Sequence, residues 1–112
     1  MTARFDEVVH APNRLRICAL LAASSTAEFA VLRDILGVAD SVLSKHLKVL
    51  QDAGYVAISK PTGRGRVKTW VSLTAEGRRA YAGHVQALKE LLAAPGAPVG
   101  SPETLNEWGR IQ

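Results

Sequence analysis

The chain has 112 residues, a length that fits one small domain with a modest core. It is 47% hydrophobic, 21% charged and 5% aromatic, so it has a globular rather than disordered composition, with a core built from Leu, Val, Ile and Ala. The net charge is +4, Cys18 is the only cysteine and so excludes an internal disulfide, and no run approaches the roughly 18 apolar residues of a membrane span.

The N-terminus, MTARFDEVVH, carries no signal-peptide pattern. With the lone cysteine, this leads to the expectation of a cytoplasmic protein with no membrane partner. Phe5, Val8 and Val9 at helical spacing predict a short lead-in helix over 5–10. Pro12 suits the first turn of a helix running to about Ala23, with Leu15, Ile17, Leu20 and Leu21 as its apolar side. Ser24, Ser25 and Thr26 break that pattern. The next helix is expected over 27–36, with Phe29, Leu32, Ile35 and Leu36 buried and Gly37 ending it.

Gly37-Val38-Ala39 is a short turn of the kind that joins the two helices of a helix-turn-helix. Either Asp40 or Ala39 caps the helix that follows, expected over 41–53. Leu43, Leu47 and Leu50 repeat at intervals of four and three and so face the core. Gly54 closes it. Residues 55–60 read as a strand, 61–66 (PTGRGR) as a turn, and 67–73 as the return strand, with Val67, Thr69, Val71 and Leu73 on one face and Trp70 on the other. Thr74 caps a last long helix to about Ala93, with Tyr81, Val85, Leu88, Leu91 and Leu92 as its stripe and Gly77 and Gly83 weakening it. Residues 94–102 read as a linker, and residues 101–108 as either a short final helix or a frayed tail.

A helix, strand, basic glycine-rich tip and second strand in that order make a recognition helix followed by a wing. Residues 45–79 hold eight basic residues and two acidic ones, a net +6 that exceeds the charge of the whole chain. Such focusing of positive charge suits a phosphate backbone and names double-stranded DNA as the partner. Opposite the core leucines stand Ser41, Val42, Ser44, Lys45 and Lys48, the candidate major-groove face. Arg64 and Arg66 at the tip, with Lys60 and Lys68 on the strands, are the candidate wing and backbone contacts. The plainer alternatives are a solvated helix face and a solubilising turn. His46 reads as a packing residue that also reaches a phosphate.

Three motifs, HAPNRLRICALL at 10–21, LSKHLKVLQDAGYV at 43–56 and WVSLTAEGRRAY at 70–81, resemble the winged-helix transcriptional regulators of the MarR and ArsR type, especially their small single-domain bacterial group. The resemblance covers about residues 5–93. It implies a mainly α fold with a β-hairpin wing, a winged helix-turn-helix domain over 1–93 with N- and C-terminal dimerisation helices. It further implies a homodimer, more often a repressor, on a near-palindromic operator. The dimer interface so implied is Phe5, Val8 and Val9 at one end and Tyr81, Val85, Leu88 and Leu92 at the other. The length and apolarity of the last helix independently argue for a partner copy.

The chain departs from metal-sensing members of those families. Cys18 stands alone and reads as a small buried hydrophobe, and His10, His46 and His84 are far apart and form no motif. No metal or cofactor is expected, and the sequence names no small-molecule effector. Gly63-Arg64-Gly65 lacks the Lys-Ser/Thr end of a P-loop. Enzyme activity is not expected, since Ser24-Ser25-Thr26 has no adjacent histidine and no acid pair is evident. The competing readings are a protein-interaction winged helix, which the basic wing argues against, and an architectural DNA binder with little sequence preference.

Overall fold

The structure is a computed structural model. It describes residues 2–61 and 67–93, and the backbone of 106–107 and 110–111. The elements run α1 (Glu7–His10), α2 (Pro12–Ala23), β1 (Ala27–Glu28), α3 (Phe29–Leu36), α4 (Asp40–Asp52), β2 (Val56–Ser59), β3 (Trp70–Leu73), α5 (Ala75–Leu92), β4 (Asn106–Glu107) and β5 (Arg110–Ile111). This is a mainly α fold with an antiparallel β2–β3 hairpin, a winged helix-turn-helix.

The helix starts follow from local chemistry. Asp6 Oδ1 accepts from the backbone N–H of Val8 and Val9 at 2.9 and 3.0 Å, which caps α1. Pro12 opens α2, where its missing N–H costs nothing. Ala39, not Asp40, is the N-cap of α4, and Asp40 lies in the first turn. Thr74 Oγ1 accepts from Gly77 N–H at 2.9 Å and donates to the Gly54 carbonyl at 2.6 Å, which joins the start of α5 to the end of α4.

The helix expected over 27–36 begins two residues late. Ala27 and Glu28 pair with β3 instead, in the register Ala27↔Val71 and Glu28↔Trp70, and Phe29 N–H donates to the Thr69 carbonyl at 2.8 Å. Both residues have good helix propensity, but the open edge of β3 offers ladder hydrogen bonds that override it. The sheet therefore has three strands in the order β1-β3-β2. Ile35 is also not buried as expected. Leu32 and Leu36, four apart, carry the inner face of α3, and Ile35 stands 50% exposed beside them. Strand β2 is one residue shorter than expected at each end and β3 starts three residues late, so Val67 lies before the strand and is exposed while Val71 and Leu73 are buried.

The core joins Val9 of α1, Ile17, Cys18 and Leu21 of α2, Leu32 and Leu36 of α3, Leu43, Leu47 and Leu50 of α4, and Val56, Val71 and Leu73 of the sheet. Cys18 is wholly enclosed, and burial, with the Asp6 carboxylate adding to it and Arg14 opposing it, pushes its thiol up to about 11. It stays protonated at neutral pH and behaves as a small hydrophobe.

The glycines of α5 are more than weak points. A Cβ on Gly77 would lie 2.0 Å from the Tyr55 carbonyl oxygen, which already accepts from Thr74 N–H at 3.0 Å. One on Gly83 would lie 2.9 Å from the Thr2 carbonyl oxygen. Glycine lets the chain before β2 and the N-terminal segment press directly on the helix backbone. Asn106–Glu107 and Arg110–Ile111 pair as an antiparallel two-strand unit, so the short helix considered there does not form over those residues. The expected linker lies outside the described residues. Among the described residues no helix is long and apolar enough to cross a membrane.

Candidate nucleic-acid interface

The helix-turn-helix is α3, the turn 37–39 and α4. Gly37 takes a left-handed backbone (φ 69°), and its N–H donates to the Arg33 carbonyl at 2.9 Å. Arg33 then spans the turn, with its guanidinium 3.0 Å from Asp40 and 3.0 Å from Asp34. The Arg33–Asp40 pair joins the start of α4 to the last turn of α3, while the Arg33–Asp34 pair lies within α3.

Because Leu43, Leu47 and Leu50 are buried, α4 can only present its opposite face. Ser41, Val42, Ser44, Lys45 and Lys48 are all exposed there. Val42 is 37% exposed, a small apolar spot within a polar and basic surface. Among the described residues Lys45 makes no ion pair, whereas Lys48 Nζ lies 3.0 Å from Asp52 Oδ1, one helical turn on. A shallow groove of about 330 Å³ runs from this face to the sheet, lined by Ser44, Lys48, Gln51, Lys60 and Thr69 over a floor of Phe29, Leu47 and Ile58. Recognition-helix and wing-strand residues thus share one continuous surface.

Gln51 and Thr69 were not among the sequence candidates. The signal for Gln51 was its spacing, seven residues beyond Ser44 and three beyond Lys48, on the same helix face. Thr69 shares a strand face with Val67, Val71 and Leu73 by alternation, which gives no signal that it lines this groove. Lys60 and Lys68 are exposed but lie just outside the strands rather than on them, Lys60 directly after β2 and Lys68 two residues before β3, while Arg64 and Arg66 lie outside the described residues. His46 is half-buried with Nδ1 3.5 Å from an Arg14 nitrogen. Burial, then the Arg14 charge, lower its pKa and favour the neutral ring.

These positions yield a test of the Lys48–Asp52 pair. Asp52→Asn is expected to tighten DNA binding by about 2- to 5-fold, since an exposed pair of this type is worth up to about 1 kcal/mol and releasing it frees Lys48 for phosphate. Fluorescence anisotropy on a duplex reads the change.

Residues 13–92 match the family described as the winged helix DNA-binding domain. The chain belongs to this family. It is 36% identical over 87 residues to the uncharacterized protein MJ0432 of Methanocaldococcus jannaschii, covering 78% of this chain and 90% of that one. Its fold is similar to that of a transcriptional regulator homologue from Pyrococcus horikoshii, with a TM-score of 0.76 at 24% identity over 81% of this chain and 90% of that one. It is also similar to ZitR of Lactococcus lactis, a zinc-responsive MarR family member (TM-score 0.58, 25% identity, 79% of this chain, 60% of that one). The protein is thus a winged helix-turn-helix DNA-binding protein that resembles transcriptional regulators of the MarR/ArsR type.

The residues expected at a dimer interface divide in the structure. Val9 is 0% exposed inside its own core and is removed from the set, because no side-chain surface remains for a partner. Val8 and Tyr81 pack partly against that same core. Phe5 is 41% exposed, Val85 and Leu88 are half-buried, and Leu91 and Leu92 stand 63% and 69% exposed. Among the residues of the terminal helices, the most exposed apolar side chains therefore lie at the C-terminal end of α5, and Leu91 joins the candidates. His10 and His84 are also closer than their sequence positions implied, with Nδ1 of the first 3.1 Å from Nε2 of the second. Among the described residues no cluster of three or more metal-ligating side chains occurs.

Proposed function

We propose that this protein is a sequence-specific transcriptional repressor that binds a near-palindromic double-stranded operator as a homodimer. The observation that carries the reading is the exposed face of α4, where Ser41, Val42, Ser44 and Lys45 combine hydrogen-bonding, apolar and cationic groups at the start of the helix. That is the end which enters the major groove in helix-turn-helix proteins. Hydroxyls and an apolar spot read base edges, whereas lysines alone would favour phosphate. Lys48, Lys60, Lys68, Arg64 and Arg66 supply backbone and wing contacts in this reading. Occupying an operator is sufficient to block transcription, and a domain of this size needs no further activity to do so.

The dimer is proposed through Phe5, Val8, Tyr81, Val85, Leu88, Leu91 and Leu92. Leu92→Asp is expected to shift sedimentation equilibrium from dimer to monomer by at least about tenfold in Kd, since burying an unpaired carboxylate in an apolar interface costs more than about 1.4 kcal/mol. Leu92 is exposed in the protomer, so the fold should survive the change. Sequence specificity is tested by selecting from a random duplex pool. The proposal expects an enriched palindrome whose half-sites lie about one helical turn apart, roughly 10 base pairs. Binding without enrichment would identify an architectural binder instead.

A further inference from the structure

The N-terminal segment is fastened to α5 by a hydrogen-bond relay. Arg4 N–H donates to the Gly83 carbonyl at 2.9 Å. Asp6 N–H donates to His84 Nδ1 at 2.9 Å. His84 Nε2 and His10 Nδ1 face each other at 3.1 Å. The Asp6 carboxylate caps α1 with one oxygen and accepts from the Tyr55 hydroxyl with the other, at 2.5 Å. His84 is completely enclosed, and Phe5 lies against both imidazoles with ring centroids 4.7 Å from His10 and 4.6 Å from His84.

Counting protons fixes the state of this relay. A backbone N–H can only donate, so His84 Nδ1 must carry a lone pair, and its proton sits on Nε2. His84 Nε2–H therefore donates to His10, whose Nδ1 must also carry a lone pair. A proton added to His84 lands on Nδ1 and confronts Asp6 N–H. A proton added to His10 Nδ1 confronts His84 Nε2–H, and if the His84 proton moves to Nδ1 the conflict passes to Asp6. Every way of placing a proton on either facing nitrogen breaks a link.

We infer that residues 4–10 form a proton-released latch: two neutral imidazoles hold the segment on α5, and acidification frees it. On the N-terminal side are His10, the Arg4 guanidinium and the carboxylates of Asp6 and Glu7, and α5 itself adds Glu76 and Arg79 along the same pocket. Tyr55 donates to Asp6, and α2 contributes Arg14, whose Nε donates to the Val8 carbonyl at 2.6 Å, and the protonated Cys18. Strand β3 has no titratable residue. Burial first, then His10, lower the His84 pKa below the usual 6.5, with Asp6 and Glu7 opposing. A base depressed in the folded state gives stability that is complete above its unfolded value and lost as pH falls towards the folded one. Release is therefore expected below 6.5.

A metal bridging the two rings fits poorly. Ligation at His84 Nε2 would drive its proton onto Nδ1, against Asp6 N–H.

Long-range nitrogen–proton NMR of the histidine rings in the full chain, with amide exchange measured in parallel, tests the latch. At about pH 8 His84 should show the Nε2–H tautomer, and protection of the Arg4 and Asp6 amides, corrected for intrinsic rates, should fall at least about tenfold by about pH 5 while α2 stays protected. His84→Asn keeps an acceptor for Asp6 N–H but does not titrate, so its protection should lose most of this pH dependence. A His84 Nδ1–H tautomer at high pH would overturn the latch. So would protection that is unchanged across the titration in the wild type, or resonances of both rings that move with one equivalent of zinc. The wild-type titration decides the matter even if the variant folds poorly.

Discussion

Gly77→Ala is expected to destabilise the domain by about 3 kcal/mol, the upper end of the usual cost of forcing atoms into a packed site. The added methyl would sit 2.0 Å from the Tyr55 carbonyl oxygen, a backbone atom that cannot rotate away. Relief would require the chain before β2 to move off α5, breaking the bond from Thr74 N–H to that same carbonyl and disturbing the Thr74 cap. In an open helix the same substitution would stabilise by up to about 1 kcal/mol, so the sign alone discriminates. Thermal unfolding followed by circular dichroism should show a midpoint lowered by more than about 10 °C.

Lys45→Glu is expected to weaken duplex binding by about 100-fold, near the upper end of what one base-edge contact contributes, with charge repulsion added. Lys45 is the cation of the recognition face to expect most from, because Lys48 already has Asp52 beside it. The residue is exposed and helical, so folding should be unaffected and the loss should fall on binding alone. If Lys45 contacts phosphate only, the loss will be similar on every duplex. If it reads a base, the loss will be largest on the selected operator.

Much of this architecture was legible in the order of residues. The spacing of Leu43, Leu47 and Leu50 assigns the inner face of α4, and with it the outer one, because a helix with one buried stripe has little freedom left. Thr74 and Pro12 mark helix starts by chemistry that acts within one turn. What escaped were features created by contact between distant segments. Ala27 and Glu28 have helical preferences and become strand only because β3 lies alongside. Gly77 and Gly83 look like simple helix weakeners until the carbonyls of Tyr55 and Thr2 are seen against them. His10 and His84 are 74 residues apart, and nothing in their local sequence announces a shared hydrogen bond. The resemblance implied Val9 as a dimer contact, but the packing of α1 against α2 and α5 turns it inward.

The most direct test of the central claim is a titration of a labelled duplex with the wild-type protein over a series of salt concentrations. DNA binding through the α4 face and the wing predicts measurable affinity at low salt, with the logarithm of the binding constant falling linearly and steeply against that of salt as counterions are released. Absence of binding at low salt, or affinity indifferent to salt, would contradict it.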